Sequence, residues 1–215
     1  MSKPLVRLFI VGLSLSALAT MASADTIVSA VSATTNMFEA YALVNAIDQA
    51  GLSPNYVSGV TGFNAYLAGN PVHTSVPGTD FIGEPPTGLV DFDLGSVMTV
   101  DAAAVWNFDG DPTAPIQNIH LYASLDSSFS TPIDLGAFIL TNPPSDPVSA
   151  QVLSFGDVTA EFIRMDILSN YGDVTGSGLG QIAFDENTAT TPEPATLLLL
   201  GPVLSGLALL RRRIK

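Results

Sequence analysis

The chain predicts an all-β fold, an antiparallel sandwich, on three observations. Short apolar runs recur through its middle, each bounded by Gly, Pro, Asn and Asp clusters, the signature of strands joined by turns. Gly (18 residues) and Pro (15) punctuate the sequence too often for long helices. There is no cysteine, so no disulfide framework substitutes for a core. A domain near this size buries roughly 70% of its unfolded surface, enough to stand without one.

The candidate strands, in order, are 26–33, 88–93, 99–107, 116–124, 133–140, 150–154, 162–168 and 180–185. In the run Phe162 to Ile167, Arg164 and Asp166 share one face by the two-residue period of a strand. One helix is expected near 36–47, where Asn36 and Glu39 resemble a capping box and Phe38, Tyr41, Ala42 and Leu43 line an apolar stripe. Residues 61–87 form a long turn-rich stretch. Ordered loops of that length are often functional, although this one also suits the covering of a sheet edge. No repeat of fixed period interrupts the reading of 25–187 as one domain.

Both ends read as sorting segments. Lys3 and Arg7, an apolar run from Leu8 to Ala19, and Ala22-Ser23-Ala24 make residues 1–24 a secretory signal peptide with cleavage after Ala24. Residues 188–194 are a linker ending in Pro192-Glu193-Pro194. Residues 195–215 are an apolar run closed by Arg211, Arg212, Arg213 and Lys215. As a helix the apolar part spans about 24 Å, short of the roughly 30 Å of a bilayer core. The basic cluster suits the cytoplasmic side. Order, spacing and terminal position resemble the tail of bacterial PEP-CTERM proteins. That resemblance implies a hydrophobic sorting helix, a transient stay in the inner membrane, processing by an exosortase-type enzyme, and delivery to the cell surface or extracellular matrix.

Between these segments the charge is one-sided. Of seven Lys and Arg, two precede residue 25 and four follow residue 210, leaving Arg164 alone against 19 acids in 25–190, a net charge of −18. Such a surface disfavours nucleic acid, whose phosphates need cations, and anionic lipid. It favours solubility and attracts cations.

Five segments resemble, in order, a discoidin-type (coagulation-factor type C) domain: "NAIDQAGLS" (45–53), "VDFDLGSVMTVDAAAVWN" (90–107), "IQNIHLYASLDSSFS" (116–130), "AEFIRMDILSNYG" (160–172) and "GLGQIAFDE" (178–186). The resemblance implies a galactose-binding-like jelly roll with ligand loops at one end and, in many members, a structural calcium. It carries that calcium onto Asp48, Ser53 and Gln181, with a departure at Gln181, where many members have Glu. Asp48 also reads as an Asx-type turn bonding its own backbone, and both readings stand. For a ligand the long 61–87 loop is the candidate. Phe63, Tyr66 and Phe81 offer flat apolar faces, while Asn64, Asn70 and His73 offer hydrogen bonds to hydroxyls.

Catalysis finds less support. Asp91 and Asp93 point the same way along a strand, which suits a solvated face with Phe92 and Leu94 inward more than a glycosidase pair. Asn107, Asp109 and Asp111 alternate like a calcium loop, but Asn118 stands where the closing Glu belongs. His73 and His120 have no announced partners for a triad or a zinc site. The glycines at 176, 178 and 180 do not open a helix after a strand, and Trp106 sits among apolar neighbours as a core residue. The expected protein is therefore an exported, non-catalytic sandwich binding extracellular polysaccharide. An envelope glycan hydrolase and a passive matrix protein are the alternatives.

The tail generates a direct prediction. Mature protein from the native host ends before Arg211, as intact-mass spectrometry will show; a mature pool still ending at Lys215 refutes processing.

Overall fold

The computed structural model describes residues 24–76 and 78–188. The expected signal peptide as far as residue 23, the Pro192-Glu193-Pro194 motif, the hydrophobic run and the basic tail lie outside the described residues. Twelve strands follow one another: β1 (Ala24–Val28), β2 (Ser32–Thr35), β3 (Phe38–Tyr41), β4 (Leu52–Ser53), β5 (Val72–His73), β6 (Phe81–Glu84), β7 (Gly88–Asn107), β8 (Ile116–Ser124), β9 (Ile133–Ile139), β10 (Val148–Ser149), β11 (Gln151–Asn170) and β12 (Ser177–Thr188). One short helix, α1 (Phe63–Ala68), and a 3-10 turn (Leu43–Ala46) complete the order.

Two 20-residue strands, β7 and β11, pair antiparallel along almost their whole length and run through both layers. In one layer, residues 100–107 of β7 lie between β11 and β12, and β12 pairs in turn with β1 and β6. In the other layer, the start of β7 pairs with β2, and the end of β11 passes to β8 and then β9. The strand pairings are all antiparallel, which closes the all-β reading. The sequence divided each long strand in two. Gly95 (φ +84) and Gly156 (φ +81) do turn the chain, but the ladder bends there through register shifts between Ser154 and Val158 and between Ala160 and Phe162, rather than ending.

Alternation along the strands builds two cores. Val90, Phe92, Ala103, Val105, Ile163, Met165 and Phe184 point between the layers, and the rings of Phe92 and Phe184 meet edge to face at 5.7 Å. The opposite face of the second half of β7 carries Ala102, Ala104 and Trp106. This face is covered by α1 and the preceding loop, through Tyr56, Phe63 and Tyr66. Trp106 is fully buried as expected, and its indole N–H donates to Pro71 O at 3.1 Å.

The helix expected over 36–47 is not formed. Residues 38–41 are instead the edge strand β3 against β6, because their backbone groups find a sheet partner there. The two capping residues are used otherwise. Asn36 Oδ1 accepts from Leu89 N–H at 2.8 Å, and Glu39 Oε2 accepts from Leu43 N–H at 2.7 Å at the start of the 3-10 turn. The helix that does form, α1, carries the carboxylate of Asp25 at its first turn, where Oδ2 accepts from Asn64 N–H at 2.8 Å.

Arg164 finds a partner in Asp91. Its Nε and Nη2 donate to the two carboxylate oxygens at 2.6 and 2.7 Å, and the Phe129 ring lies 4.0 Å beneath the guanidinium. Asp93 instead accepts from Gly95 N–H at 2.7 Å. The Asp91/Asp93 pair is therefore a strand face, with Phe92 and Leu94 buried behind it.

One buried acid sits uneasily in this fold. Asp185 on β12 is 5% exposed, and its carboxyl is pushed up to about 7, first by burial and then by the charge of Asp101. The folded state thus holds a proton that the unfolded state releases near pH 4. Between those values the folded form binds more protons, so stability falls as pH rises from about 4 to about 7. Thermal unfolding will show wild type losing melting temperature over that window and Asp185→Asn losing less; equal slopes would remove the assignment.

Candidate functional site

Of the residues expected to hold a ligand, Asn64 and Asn70 are exposed, but the three aromatics and His73 lie inside. Phe63 (1% exposed) and Tyr66 (8%) pack on Trp106, and Phe81 (0%) lies between the layers opposite Leu179. Tyr66 is further fixed by its hydroxyl, which donates to Pro54 O at 2.5 Å, and by edge contact with Tyr56 at 5.3 Å. Burial pushes the Tyr66 phenol up to about 12. His73 is fully buried beside Asp80, its Nε2 at 3.2 Å from Asp80 Oδ1. Burial lowers the imidazole's proton affinity and raises the Asp80 carboxyl to about 6, so both move toward their neutral forms. The expectation of a sugar-facing platform at Phe63, Tyr66, Phe81 and His73 is corrected accordingly. The loop closes a sheet face, and its aromatics are the closing material.

One set of open loops gathers beside β6 and the start of β12. Segment 108–115 is tied to 170–178 through Asp173 N–H to Thr113 O (3.0 Å), Tyr171 N–H to Pro115 O (3.2 Å) and Gly178 N–H to Ala114 O (2.8 Å). Against this frame stands Tyr41, the last residue of β3 and 48% exposed. Two hollows flank it and share Phe108 as a wall. One, of about 290 Å³, is bounded by Ser75, Val76, Gly78 and Asp80; the other, of about 250 Å³, by Ile82, Glu84, Asp111, Asp173 and Thr175.

The carboxylates of the second hollow are held by their own loops. Asp111 Oδ1 accepts from the Thr113 N–H and hydroxyl at 2.8 and 2.7 Å, which lowers its proton affinity. Asp173 Oδ1 accepts from Thr175 N–H at 2.6 Å and Gly176 N–H at 3.0 Å. Turn chemistry thus holds both carboxylates in place on the wall of the hollow. Sequence reasoning missed Tyr41 because it was assigned to a helix stripe. The exposed pattern of 38–41 is that of an edge strand, and only the partner strand reveals it.

Of the three residues carried over for calcium, two meet. Gln181 is 1% exposed, and its side-chain N–H₂ donates to Asn45 O, to Asp48 Oδ1 at 3.2 Å and to Ala50 O at 3.2 Å. Its Oε1 accepts from Gln49 N–H at 3.1 Å. Asp48 makes the Asx turn as well, since Oδ1 also accepts from Ala50 N–H at 2.8 Å. Ser53 takes no part: it lies on β4, paired with Val72. Calcium wants six to eight oxygens around one point, and here a nitrogen bearing hydrogens faces the convergent oxygens. The set as folded does not fit the ion. Among the described residues no group of three or more His, Cys, Asp or Glu is placed to hold a metal.

No protein-family model matches the chain, and no curated protein matches it in sequence. Solved structures do match in fold. The family 32 carbohydrate-binding module of Clostridium perfringens NanJ, solved with galactose, aligns at TM-score 0.51 and 12% identity, covering 75% of this chain and 99% of that one. A truncated AlyQ holding a family 32 module and an alginate lyase domain aligns at TM-score 0.53 and 17% identity, over 82% of this chain and 38% of that one. A further family 32 module, from a C. perfringens family 31 glycoside hydrolase, aligns at TM-score 0.50 and 11% identity, over 76% and 92%. The chain has their galactose-binding-like sandwich fold.

The burial of the expected platform sets a prediction. Phe81→Ala will lower unfolding free energy by about 3–5 kcal/mol, the usual cost of emptying a core aromatic. Urea titration checks it; a loss below about 1 kcal/mol would mean that the ring is not core.

Proposed function

We propose that this protein is a non-catalytic carbohydrate-binding protein of the cell exterior, and that it takes its glycan at the loop end around Tyr41. The observation that carries the reading is an exposed aromatic ring between two hollows, rimmed by anchored acceptors, at one end of a galactose-binding-like sandwich. A pyranose offers both complementary features. Its C–H face suits an aromatic ring, and its hydroxyls suit Glu84, Asp111 and Asp173. Small-ligand sites combine such a surface with a few fixed polar groups. The family 32 modules that share the fold support a sugar as ligand, and the signal peptide and the PEP-CTERM-like tail support export, exosortase processing and a place in the matrix.

Binding suits the site better than hydrolysis. Glycoside cleavage needs two carboxyl groups flanking the bond, one of them raised. Of the two acids raised farthest, Asp80 lines the first hollow with no second carboxylate in that lining, and Asp185 is 5% exposed beside Asp101.

Tyr41→Ala removes the platform from an edge strand without opening a core. The substitution will weaken binding at least tenfold on a glycan array or by titration calorimetry, a loss of about 1.4 kcal/mol, while leaving the melting temperature in place. Glycan binding at wild-type strength in Tyr41→Ala, or no glycan bound by wild type, would overturn the reading.

A further inference from the structure

We infer that the Gln181 side-chain amide does the work of a bound cation, closing the loop 45–51 onto the last strand and making the fold independent of divalent ions. The loop curls tightly: Gln49 (φ +65) and Gly51 (φ +82) both adopt left-handed backbone. That curl turns Asn45 O, Asp48 Oδ1 and Ala50 O toward one buried point. Acceptors so gathered repel one another and need a positive centre. Gln181 supplies it as two polar hydrogens on Nε2, from a side chain 1% exposed.

The orientation of the amide is settled by a fourth group. Gln49 N–H donates to Oε1 at 3.1 Å. A flipped amide would set N–H₂ against that N–H and Oε1 against three oxygens, losing every bond at once. The clasp also reaches the cap over the outer core, because Gln49 Oε1 accepts from Tyr56 N–H at 2.9 Å and Tyr56 packs on Tyr66. A neutral amide therefore organises a segment that runs from the 3-10 turn to α1.

The inference separates Gln from Glu at this position. Glutamate, ionised, brings two oxygens and no hydrogen, placing a second carboxylate beside Asp48 and taking the Gln181 donor from the Asn45 and Ala50 carbonyls. A divalent cation would reconcile that set, in the all-oxygen manner calcium accepts. One substitution thus converts an ion-free clasp into an ion-dependent one.

The test uses the full chain, with calcium chloride as the probe and thermal unfolding as the readout, in parallel with chelator. Wild type is expected to melt at the same temperature in both. Gln181→Glu is expected to melt lower in chelator and to return toward wild type with calcium, binding one ion by calorimetry. Gln181→Met, of similar volume and without donors, is expected to melt lower in both. Three results overturn the inference: wild type stabilised by calcium, Gln181→Glu as stable as wild type in chelator, or Gln181→Glu destabilised equally with and without calcium.

Discussion

The long antiparallel ladder between β7 and β11 is the constraint on which the rest depends. Each strand is 20 residues long and serves both layers, so the layers are not two sheets pressed together but one ladder folded over itself. The bend must fall where the pairing can slip, and it falls at the register shifts near Gly95 and Gly156. Once those two strands are in place, the remaining strands have few choices. β12 and β1 extend one layer, β2, β8 and β9 the other, and the apolar faces close on each other.

The ladder also creates an obligation. The second half of β7 is apolar on both faces, Ala103 and Val105 inward, Ala102, Ala104 and Trp106 outward. The outward face needs a lid, and the chain covers it with Leu52, Tyr56, Phe63 and Tyr66. This accounts for the two tyrosines and Phe63 lying beneath the lid rather than on it, and for the short α1 fitting where two alanines leave room. It also explains the clasp at Gln181, which fixes the start of the lid to the strand next to β7.

Fold class, most strand positions, the buried Trp106 and the pairing of Arg164 with a carboxylate were legible in the sequence, because period-two patterning and charge scarcity are local properties. The strand at 116–124 coincides with its apolar run. Three features were not legible. Gly95 and Gly156 look like turns until a partner strand carries the ladder across them. The stretch 38–41 looks helical until β6 offers its edge. Phe63 and Tyr66 look like a ligand platform until the second apolar face of β7 claims them. Each miss concerns a long-range partner, which a one-dimensional pattern does not contain. At the clasp, the resemblance brought Asp48 and Gln181 together, while Ser53, paired with Val72, and the polarity of the amide showed only in three dimensions.

The pairing of the first and last strands has a mechanical consequence. Ala24 and Thr188 are register partners, so the chain enters and leaves the sandwich at the same corner. From there β12 runs 12 residues to Ser177, which at a strand's rise is roughly 40 Å of backbone. That strand's far end adjoins Ile82 and Glu84, at the foot of Tyr41. Pull on either terminus therefore enters the sandwich at that one corner, through the paired β1 and β12.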